Sequence, residues 1–380
     1  MIYLDNAATT AMFPECVDII KKYAVDEYFN PSALYAPAIT AAKAVNKARG
    51  QLAKALGCAA DNIVFTASGS EADNFALVCG PRKKKGRIII SAVEHAAVFN
   101  CAKALADKGY EFCVAPCDNY GRVNKEEFIK LLNDDVVLVS IMHVCNETGA
   151  LNDIEQLCAE VRKRCKDAIF HSDGVQAFCK IPFSVKDLGV DLYSVSGHKI
   201  HAPKGIGALY IRSGLNLQPF IHGGGQERNL RSGTENVAEI CAFGYAAERM
   251  SAETENNFRK QKELQKMLID GLTETFSDTV RINTDINQSG AHIVSFSFNG
   301  IRGEVMLHFL ESKGIIVGTG SACSSKKAAE RIPNALGLSG AFREGTLRIS
   351  FNETTSEEDI DALLCALKDG AKLLGKYRRV

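Results

Sequence analysis

Short apolar runs alternate with amphipathic segments over the first two thirds of the chain. An apolar run at residues 2–4 precedes a helical pattern from Pro14 to about Phe29 and an alanine-rich helical pattern over 37–56, which Gly57 ends. The pattern then predicts strands at residues 62–66, 87–91, 111–115, 136–141, 168–171, 190–195 and 207–211, with helices after 67–72 and from Ala96, Lys125 and Ile154. Strands that alternate with helices indicate right-handed crossovers and a mostly parallel sheet with helices on both faces.

In such a sheet, ligands bind beyond the carboxyl ends of the strands. Polar residues that follow strands are therefore the first candidates for a site, and we expect them to share one edge of the sheet. They are Ser70, His95, Asn146, Asp173, Gln176 and Lys199. Ser70 and Gly69 lie in a turn of small residues between a strand and a helix, an arrangement that can hold a phosphate. A helix N-cap accounts for Ser70 equally well.

The pattern changes around Gly233. A polar, glycine-rich stretch at 222–234 is followed by a helix that begins near Thr234 and by a charged helix at 253–272. Further strands are predicted at 293–298, 315–317 and 347–351, and further helices at 304–312 and 357–374. From Arg281 onward, these elements predict a second, smaller α+β domain.

Composition argues against several classes of protein. The 45 basic and 45 acidic residues cancel, so no overall charge favours nucleic acid or an anionic membrane. No apolar run approaches the roughly 20 residues of a transmembrane helix, and residues 1–5 do not resemble a signal peptide. The 13 cysteines are scattered and form no Cys-x-x-Cys pair. They favour small core residues in a reducing cytoplasm over disulfides or zinc ligands, and we expect a cytoplasmic protein.

One stretch, Ser-Gly-His-Lys-Ile-His-Ala-Pro-Lys-Gly at 196–205, lies between two predicted strands. It places Lys199 on a turn at the mouth of the sheet, beside Ser196 and His198. Burial lowers the pKa of a lysine amine below its usual ~10.4, which suits a covalent bond to the aldehyde of pyridoxal phosphate (PLP). A surface turn that happens to contain lysine and histidine is the alternative.

PLP needs further groups that this chain can supply. Asp173 follows a strand and can pair with the pyridine nitrogen, which keeps the cofactor ring an electron sink. His95 can stack on the ring, and Asn146, Gln176, Ser196 and His198 are candidate ring or phosphate contacts. An aspartate that begins a turn and a histidine at a helix N-terminus are the alternatives for Asp173 and His95.

Two residues near the C-terminal end could act on a substrate. Cys323 lies in a loop of small residues before Lys326 and Lys327, which can lower its pKa from the usual ~8.5. A mobile nucleophile and a loop cysteine without function both fit this position. Arg348 is a charge within an apolar strand pattern, so it is predicted to face a cleft or a carboxylate, and an edge-strand arginine that faces water is the alternative.

Taken together, seven segments resemble the cysteine desulfurases, which are fold-type I PLP enzymes of the class V aminotransferase type. The segments are 3–10 (Tyr-Leu-Asp-Asn-Ala-Ala-Thr-Thr), 69–71 (Gly-Ser-Glu), 94–95 (Glu-His), 146–149 (Asn-Glu-Thr-Gly), 196–199 (Ser-Gly-His-Lys), 231–234 (Arg-Ser-Gly-Thr) and 321–323 (Ser-Ala-Cys). The resemblance spans nearly the whole chain, with the segments in order. It implies a large α/β domain at 12–255 with a mostly parallel, seven-stranded-type sheet flanked by helices. Residues 1–11 and 256–380 would form a small α+β domain that carries the Cys323 loop.

The resemblance also implies a role for each candidate residue. Lys199 would bind PLP covalently and take the Cα proton of L-cysteine, with His95 as a stacking group that relays protons. Cys323 would attack the substrate sulfur, giving L-alanine and a persulfide on Cys323, and Arg348 and Asn146 would hold the substrate carboxylate. The cofactor contacts would be Gly69, Ser70, His95, Asn146, Asp173, Gln176, Ser196, Gly197, His198, Lys199 and Thr234.

Two partners follow from the same resemblance. Thr234 would reach the phosphate in the neighbouring subunit of a homodimer. A sulfur-acceptor protein, either an iron–sulfur scaffold or a sulfur carrier, would take the sulfur for iron–sulfur cluster or thio-cofactor assembly. No metal, nucleic acid or membrane is implied.

Other activities remain open at this point. A transaminase or a selenocysteine lyase would use the same scaffold, although a plain aminotransferase has no need of Cys323. The presence of Lys199 and Asp173 argues against a sulfur-carrier binding partner without catalysis. Three residues depart from the family pattern: Cys145 stands where asparagine is usual, Gly174 where alanine is usual and Ala202 where glycine is usual.

Overall fold

The chain is organised around a seven-stranded sheet, and the computed structural model describes residues 1–81, 83, 85–319, 330–338 and 340–375. The strands are β1 (Ile2–Tyr3), β2 (Ile63–Thr66), β3 (Arg87–Ser91), β4 (Glu111–Ala115), β5 (Val136–Ser140), β6 (Ile169–Asp173), β7 (Leu192–Ser196), β8 (Gly207–Ile211), β9 (Val280–Ile282), β10 (Ile293–Phe298), β11 (Ile315–Ile316) and β12 (Thr346–Ser350). The helices are α1 (Pro14–Lys21), α2 (Ala36–Leu56), α3 (Gly69–Cys79), α4 (Ala96–Ala106), α5 (Lys125–Leu131), α6 (Ile154–Arg164), α7 (Val185–Leu188), α8 (Val237–Ala252), α9 (Thr254–Phe276), α10 (Gly303–Ser312), α11 (Arg331–Ala335), α12 (Gly340–Glu344) and α13 (Glu357–Leu374).

The large sheet has the strand order β2-β8-β7-β6-β5-β3-β4. Strand β8 runs antiparallel to both of its neighbours, and the other neighbouring pairs are parallel. The predicted mostly parallel sheet is therefore confirmed. All residues of β5 are buried, as expected for a strand that helices cover on both faces.

Alternate residues of one strand face two different apolar cores. Ile89 of β3 packs in a core with Leu52 of α2 and Phe243 of α8. Ile88 and its neighbours on the opposite face pack in a second core with Phe75 of α3. This period of two places helices on both faces of the sheet, as the strand–helix alternation predicts.

The C-terminal elements form a separate, three-stranded antiparallel sheet with the order β12-β10-β9. Its core holds Leu268 of α9, Met306 of α10 and Leu363 of α13, together with Leu4 from the start of the chain. Strand β1 pairs in parallel with β11, which brings the N-terminus to this part of the molecule. The division into residues 12–255 on one side and residues 1–11 with 256–380 on the other stays a prediction.

Local sequence accounts for one of two helix boundaries and not for the other. Gly57 ends α2 with φ of +72°, a left-handed conformation that glycine adopts without a steric cost. The helix predicted to run from Pro14 to about Phe29 is shorter, because α1 gives way to a π-helical turn at Lys22–Asp26. Within the described ranges, no helix combines the length and the apolarity of a membrane span.

Candidate active site

The candidate polar residues lie beyond the carboxyl ends of neighbouring strands of the large sheet. Asp173 is the last residue of β6, and Lys199 ends a 3-10 turn, Gly197–Lys199, that follows β7. His95 directly precedes α4 after β3, and Asn146 follows β5. Strand β2, which leads to Ser70, runs in the same direction as β7, because both are antiparallel to β8. These strand ends therefore point to one edge of the sheet.

The amine of Lys199 is held between two carbonyl groups. Nζ donates to the carbonyl oxygens of Ala7 and Ala8 at 2.6 and 2.7 Å. Burial, assisted by the positive charges of Lys180 and Arg348, lowers the pKa of the amine to about 7. An amine with this pKa is unprotonated in about half of the molecules at neutral pH, and the unprotonated form is the nucleophile.

Asp173 and His95 act on each other electrostatically. Burial raises the pKa of Asp173, and the positive charges of His95 and Lys199 oppose that rise. Its Oδ1 accepts the backbone N–H of Val175 at 2.9 Å. His95 has exposed surface, yet desolvation by the protein around its ring lowers the pKa of the imidazole, against the opposing effect of Asp173. Its Nδ1 accepts the N–H of Ala97 at 3.1 Å, so the proton of the neutral ring lies on Nε2.

Gln176 shares a carbonyl group with Lys199. Its Nε2 donates to Ala7 O at 2.9 Å, while its buried Oε1 has no hydrogen-bond partner among the described residues. A buried acceptor without a partner is costly, so a bound group that donates a hydrogen bond here would be favoured. His198 lies on the same turn, its Nδ1 3.2 Å from Thr9 Oγ1, and burial lowers its pKa to about 4. The His198 imidazole is therefore neutral at pH 7.

The N-terminus of α3 approaches the end of β7 closely at Gly69. A Cβ atom on Gly69 would lie 2.7 Å from Val175 Cγ2 and 3.2 Å from Ser196 Cβ. Ser68 caps the helix, since its side chain accepts the N–H of Glu71 at 3.1 Å, so the alternative that Ser70 is the cap is wrong. The Ser70 hydroxyl is exposed and remains available beside the first helical N–H groups.

Arg348 of β12 is buried, with 6% of its surface exposed. Nη1 donates to the backbone carbonyl of Asn146 at 2.9 Å, and Nη2 pairs with Asp5 Oδ1 at 2.7 Å. The prediction that Arg348 faces a cleft or a carboxylate rather than water is confirmed, since Arg348 pairs with the carboxylate of Asp5. Its Nε is buried and has no partner within the described parts of the chain. The guanidinium is thus fixed in place and keeps a donor for an incoming anion.

Sequence reasoning did not single out three charged residues near this site. Asp5 follows β1 within the segment 3–10, a position as informative as that of Asp173. Glu94 is buried, and its Oε1 accepts from Ser91 Oγ at 2.5 Å; burial raises its pKa to about 8. Lys180 is buried, and burial lowers its pKa to about 8. Glu94 and Lys180 are distinguished by tertiary burial, which residue types alone do not reveal.

Two of the departures from the family pattern have structural explanations. A Cβ atom on Gly174 would lie 1.9 Å from Cε1 of Tyr193, so alanine does not fit beside this tyrosine. Tyr193 is fully buried, and its hydroxyl lies 2.8 Å from His143 Nδ1. Cys145 packs in an apolar cluster with Val93 and Leu336, among other residues. Cys145 is therefore a core residue of the loop that also carries Asn146.

Two predicted site residues are not brought into this group. Thr234 is exposed, on a loop that Arg231 ties to Glu71 of α3 through a 2.8 Å ion pair. Cys323 lies outside the described residues. Its proposed role rests on sequence.

Known proteins similar to this chain cover nearly its whole length. Residues 2–363 match the family described as aminotransferase class V. A cysteine desulfurase IscS from Methanosarcina thermophila is 39% identical over 96% of this chain and 90% of its own length. Among solved structures, a NifS-like protein superposes with a TM-score of 0.92 at 35% identity, covering 98% of this chain and 100% of that chain. SspA in complex with cysteine gives a TM-score of 0.79 at 30% identity, over 94% of this chain and 100% of that chain. The chain belongs to the class V aminotransferase family.

Proposed function

We propose that the chain is a PLP-dependent cysteine desulfurase. It would remove sulfur from L-cysteine, release L-alanine and hold the sulfur as a persulfide on Cys323. The observation that carries this proposal is the partly buried Lys199 amine, which the carbonyl groups of Ala7 and Ala8 hold at 2.6 and 2.7 Å. Its pKa is lowered to about 7, and it interacts electrostatically with Asp173. The names of the relatives, and the cysteine bound to SspA, support the substrate.

The residues at the edge of the sheet fit PLP. Lys199 supplies the amine, Asp173 a buried carboxylate for the pyridine nitrogen, and Gln176 a free acceptor for the ring hydroxyl. Gly69 and Ser70 begin α3, whose first N–H groups suit the phosphate. Ser196, Gly197, His198 and the Thr234 of a neighbouring subunit would complete the phosphate contacts, and Asn146 the ring contacts. When bound, PLP supplies an electron sink for negative charge at the substrate Cα.

The chain's own residues would orient the substrate and move its proton. Arg348 would bind the α-carboxylate through Nε, with Asp5 at Nη2 and the carbonyl group of Asn146 at Nη1 holding the guanidinium in place. Lys199 would accept the Cα proton at Nζ, and its pKa of about 7 suits a group that takes up and returns a proton at neutral pH. The neutral His95 ring would cover the cofactor and can donate its Nε2 proton.

The first measurement is turnover of L-cysteine by the purified protein with a reductant, followed as sulfide and alanine together. Wild type is expected to release the two in equal amounts. Cys323→Ala is expected to lose sulfide release by about a hundredfold or more while the visible absorbance of bound PLP persists, because the sulfur acceptor alone is removed.

Cys365, an exposed cysteine on α13, provides the matched control. Cys365→Ala should retain wild-type sulfide release. Bound cofactor without sulfide from wild type would contradict the desulfurase proposal and redirect the search to selenocysteine or transamination substrates.

The ion pair between Arg348 and Asp5 gives a second prediction, which a substitution at Gly318 can test. A Cβ atom on Gly318 would lie 2.7 Å from Asp5 Oδ1 and 3.1 Å from Arg348 Nη2, so it would displace the ion pair. Gly318→Ala is therefore expected to raise KM for L-cysteine about tenfold, with a smaller change in kcat. Gly50→Ala is the control, since nothing lies within 4 Å of the added methyl group. An unchanged KM in Gly318→Ala would argue against carboxylate binding by Arg348.

We further propose a homodimer in which Thr234 reaches the neighbouring site. The exposed position of Thr234 supports this arrangement, as do exposed apolar side chains such as Leu34, which is 95% exposed, and Tyr35. A sulfur-acceptor protein, used in iron–sulfur cluster or thio-cofactor assembly, would take the persulfide sulfur. A cytoplasmic location is proposed from the scattered cysteines.

A further inference from the structure

Arg331, the first residue of α11, contacts the turn that carries His95. Its Nη1 donates to the carbonyl oxygen of Ala92 at 2.5 Å, and its Nη2 donates to the carbonyl oxygen of Glu94. The guanidinium carbon also lies 4.4 Å from the ring centroid of Phe99 in α4. One side chain thus joins α11 to the residues on both sides of the His95 turn.

Hydrogen bonds to residues at the ends of neighbouring strands hold the rest of this turn. Ala92 N donates to Ala115 O at 3.0 Å, at the end of β4. The Glu94 carboxyl accepts from Ser91 Oγ at 2.5 Å and from Met142 N at 2.7 Å. These bonds fix the side chain of Glu94 and the start of the turn. The carbonyl groups of residues 92 and 94, which set the direction of the backbone into His95, are bound by Arg331.

We propose that Arg331 is a positioning residue for His95, because its guanidinium holds the carbonyl groups on both sides of Val93 and so fixes the turn from which the imidazole reaches the site. The effect of this placement on catalysis rests on the proposed function, whereas the contact between Arg331 and the turn is observed in the structure. Lysine could supply the charge of Arg331, but it lacks the planar pair of donors that binds two carbonyl groups at once.

Arg331 also affects the pKa of His95 through its charge, an effect that a residue with a purely structural role would not have. Asp173 from β6 raises the pKa of His95, whereas Lys199 from the turn after β7 and Arg331 from α11 lower it. Glu94, the preceding residue, has a pKa of about 8 and is mostly neutral at pH 7. Removal of the Arg331 charge should therefore raise the pKa of His95 and extend the protonated form to higher pH.

The test is an NMR titration of the full-length holoenzyme with ¹³C-labelled histidine. The chain has eight histidines, and His95→Gln assigns the signal of interest. In Arg331→Gln the His95 midpoint should move to higher pH, and kcat should fall about tenfold with PLP content unchanged. In Arg331→Lys the midpoint should stay near that of wild type, while kcat recovers only in part.

Arg281 provides a matched control. It donates to the carbonyl oxygens of Leu336 and Gly337 at 2.9 and 3.3 Å, and so binds the two residues that follow α11. It is not among the charges that shift the pKa of His95. Arg281→Gln should leave the His95 midpoint and kcat at wild-type values.

Three outcomes would overturn the inference. They are an unchanged His95 midpoint with unchanged kcat in Arg331→Gln, an equal loss of kcat in Arg281→Gln, and full recovery of kcat in Arg331→Lys. Failure of the proposed function looks different: wild type would release no sulfide from L-cysteine while the His95 midpoint still moves in Arg331→Gln. In that case the placement of His95 by Arg331 stands.

Discussion

Replacement of Lys199 by arginine is expected to abolish covalent attachment of PLP and to lower sulfide release by about a thousandfold or more. Arginine keeps a positive charge near the carbonyl groups of Ala7 and Ala8, which bind Lys199 Nζ at 2.6 and 2.7 Å. A guanidinium does not lose its proton in proteins, so it can neither form the bond to the cofactor nor accept the substrate proton. Absorbance of the purified variant and a sulfide assay measure the two effects.

The lowered pKa of Lys199 adds a pH dependence to this prediction. Protonated amine is unreactive, and the pKa is lowered to about 7, so attachment of added PLP to the cofactor-free chain should speed up as pH rises through about 7. An amine with the ordinary pKa near ~10.4 would show this rise more than three pH units higher.

Lys204, an exposed lysine of the same segment, is the control. Lys204→Arg should attach PLP with the wild-type rate and pH midpoint. Attachment that continues in Lys199→Arg with an unchanged absorbance band would show that another lysine binds the cofactor.

Much of the fold could be predicted because the information is local. The strands β3, β4, β8 and β10 have the predicted bounds, since each is a short apolar run between turn residues. The early end of α1 was missed because the apolar pattern continues past Lys21, while the backbone departs from the α-helix there. The single turn α7, Val185–Leu188, is too short for its periodicity to be recognised.

The candidate site could be predicted in outline for a different reason. Polar residues that follow parallel strands meet at one edge, which is why Asp173 and Lys199 could be identified without any tertiary information. The pairing of Arg348 with Asp5 joins residues at opposite ends of the chain, and no local pattern contains it. Likewise, Gly174 is explained only by the ring of Tyr193, which occupies the place of its missing side chain. Local patterns locate such residues, and tertiary packing decides their partners.

The charge of Asp173 is expected to matter more than its shape. Asp173→Asn should keep the hydrogen bond that Oδ1 accepts from Val175 N at 2.9 Å, because the amide oxygen can take the same place. A neutral amide cannot keep the pyridine nitrogen of PLP protonated, so sulfide release should fall by about a hundredfold or more although PLP still binds. The variant is measured by PLP content, by the position of the cofactor band, which should shift, and by sulfide release.

The melting temperature distinguishes a loss of sulfide release caused by the missing charge from one caused by unfolding of the variant. Burial raises the pKa of Asp173 in the cofactor-free chain by disfavouring its charged form, so without PLP asparagine should leave the melting temperature unchanged or raise it. Asp191 is the opposite case: it is fully buried and pairs with Arg162 at 2.6 Å and Arg212 at 2.7 Å. Asp191→Asn should lower the melting temperature and leave kcat near wild type, since it breaks ion pairs away from the site. Wild-type sulfide release from a folded Asp173→Asn would mean that the reaction does not use the charge at residue 173, and the assignment of Asp173 to the pyridine nitrogen would fail.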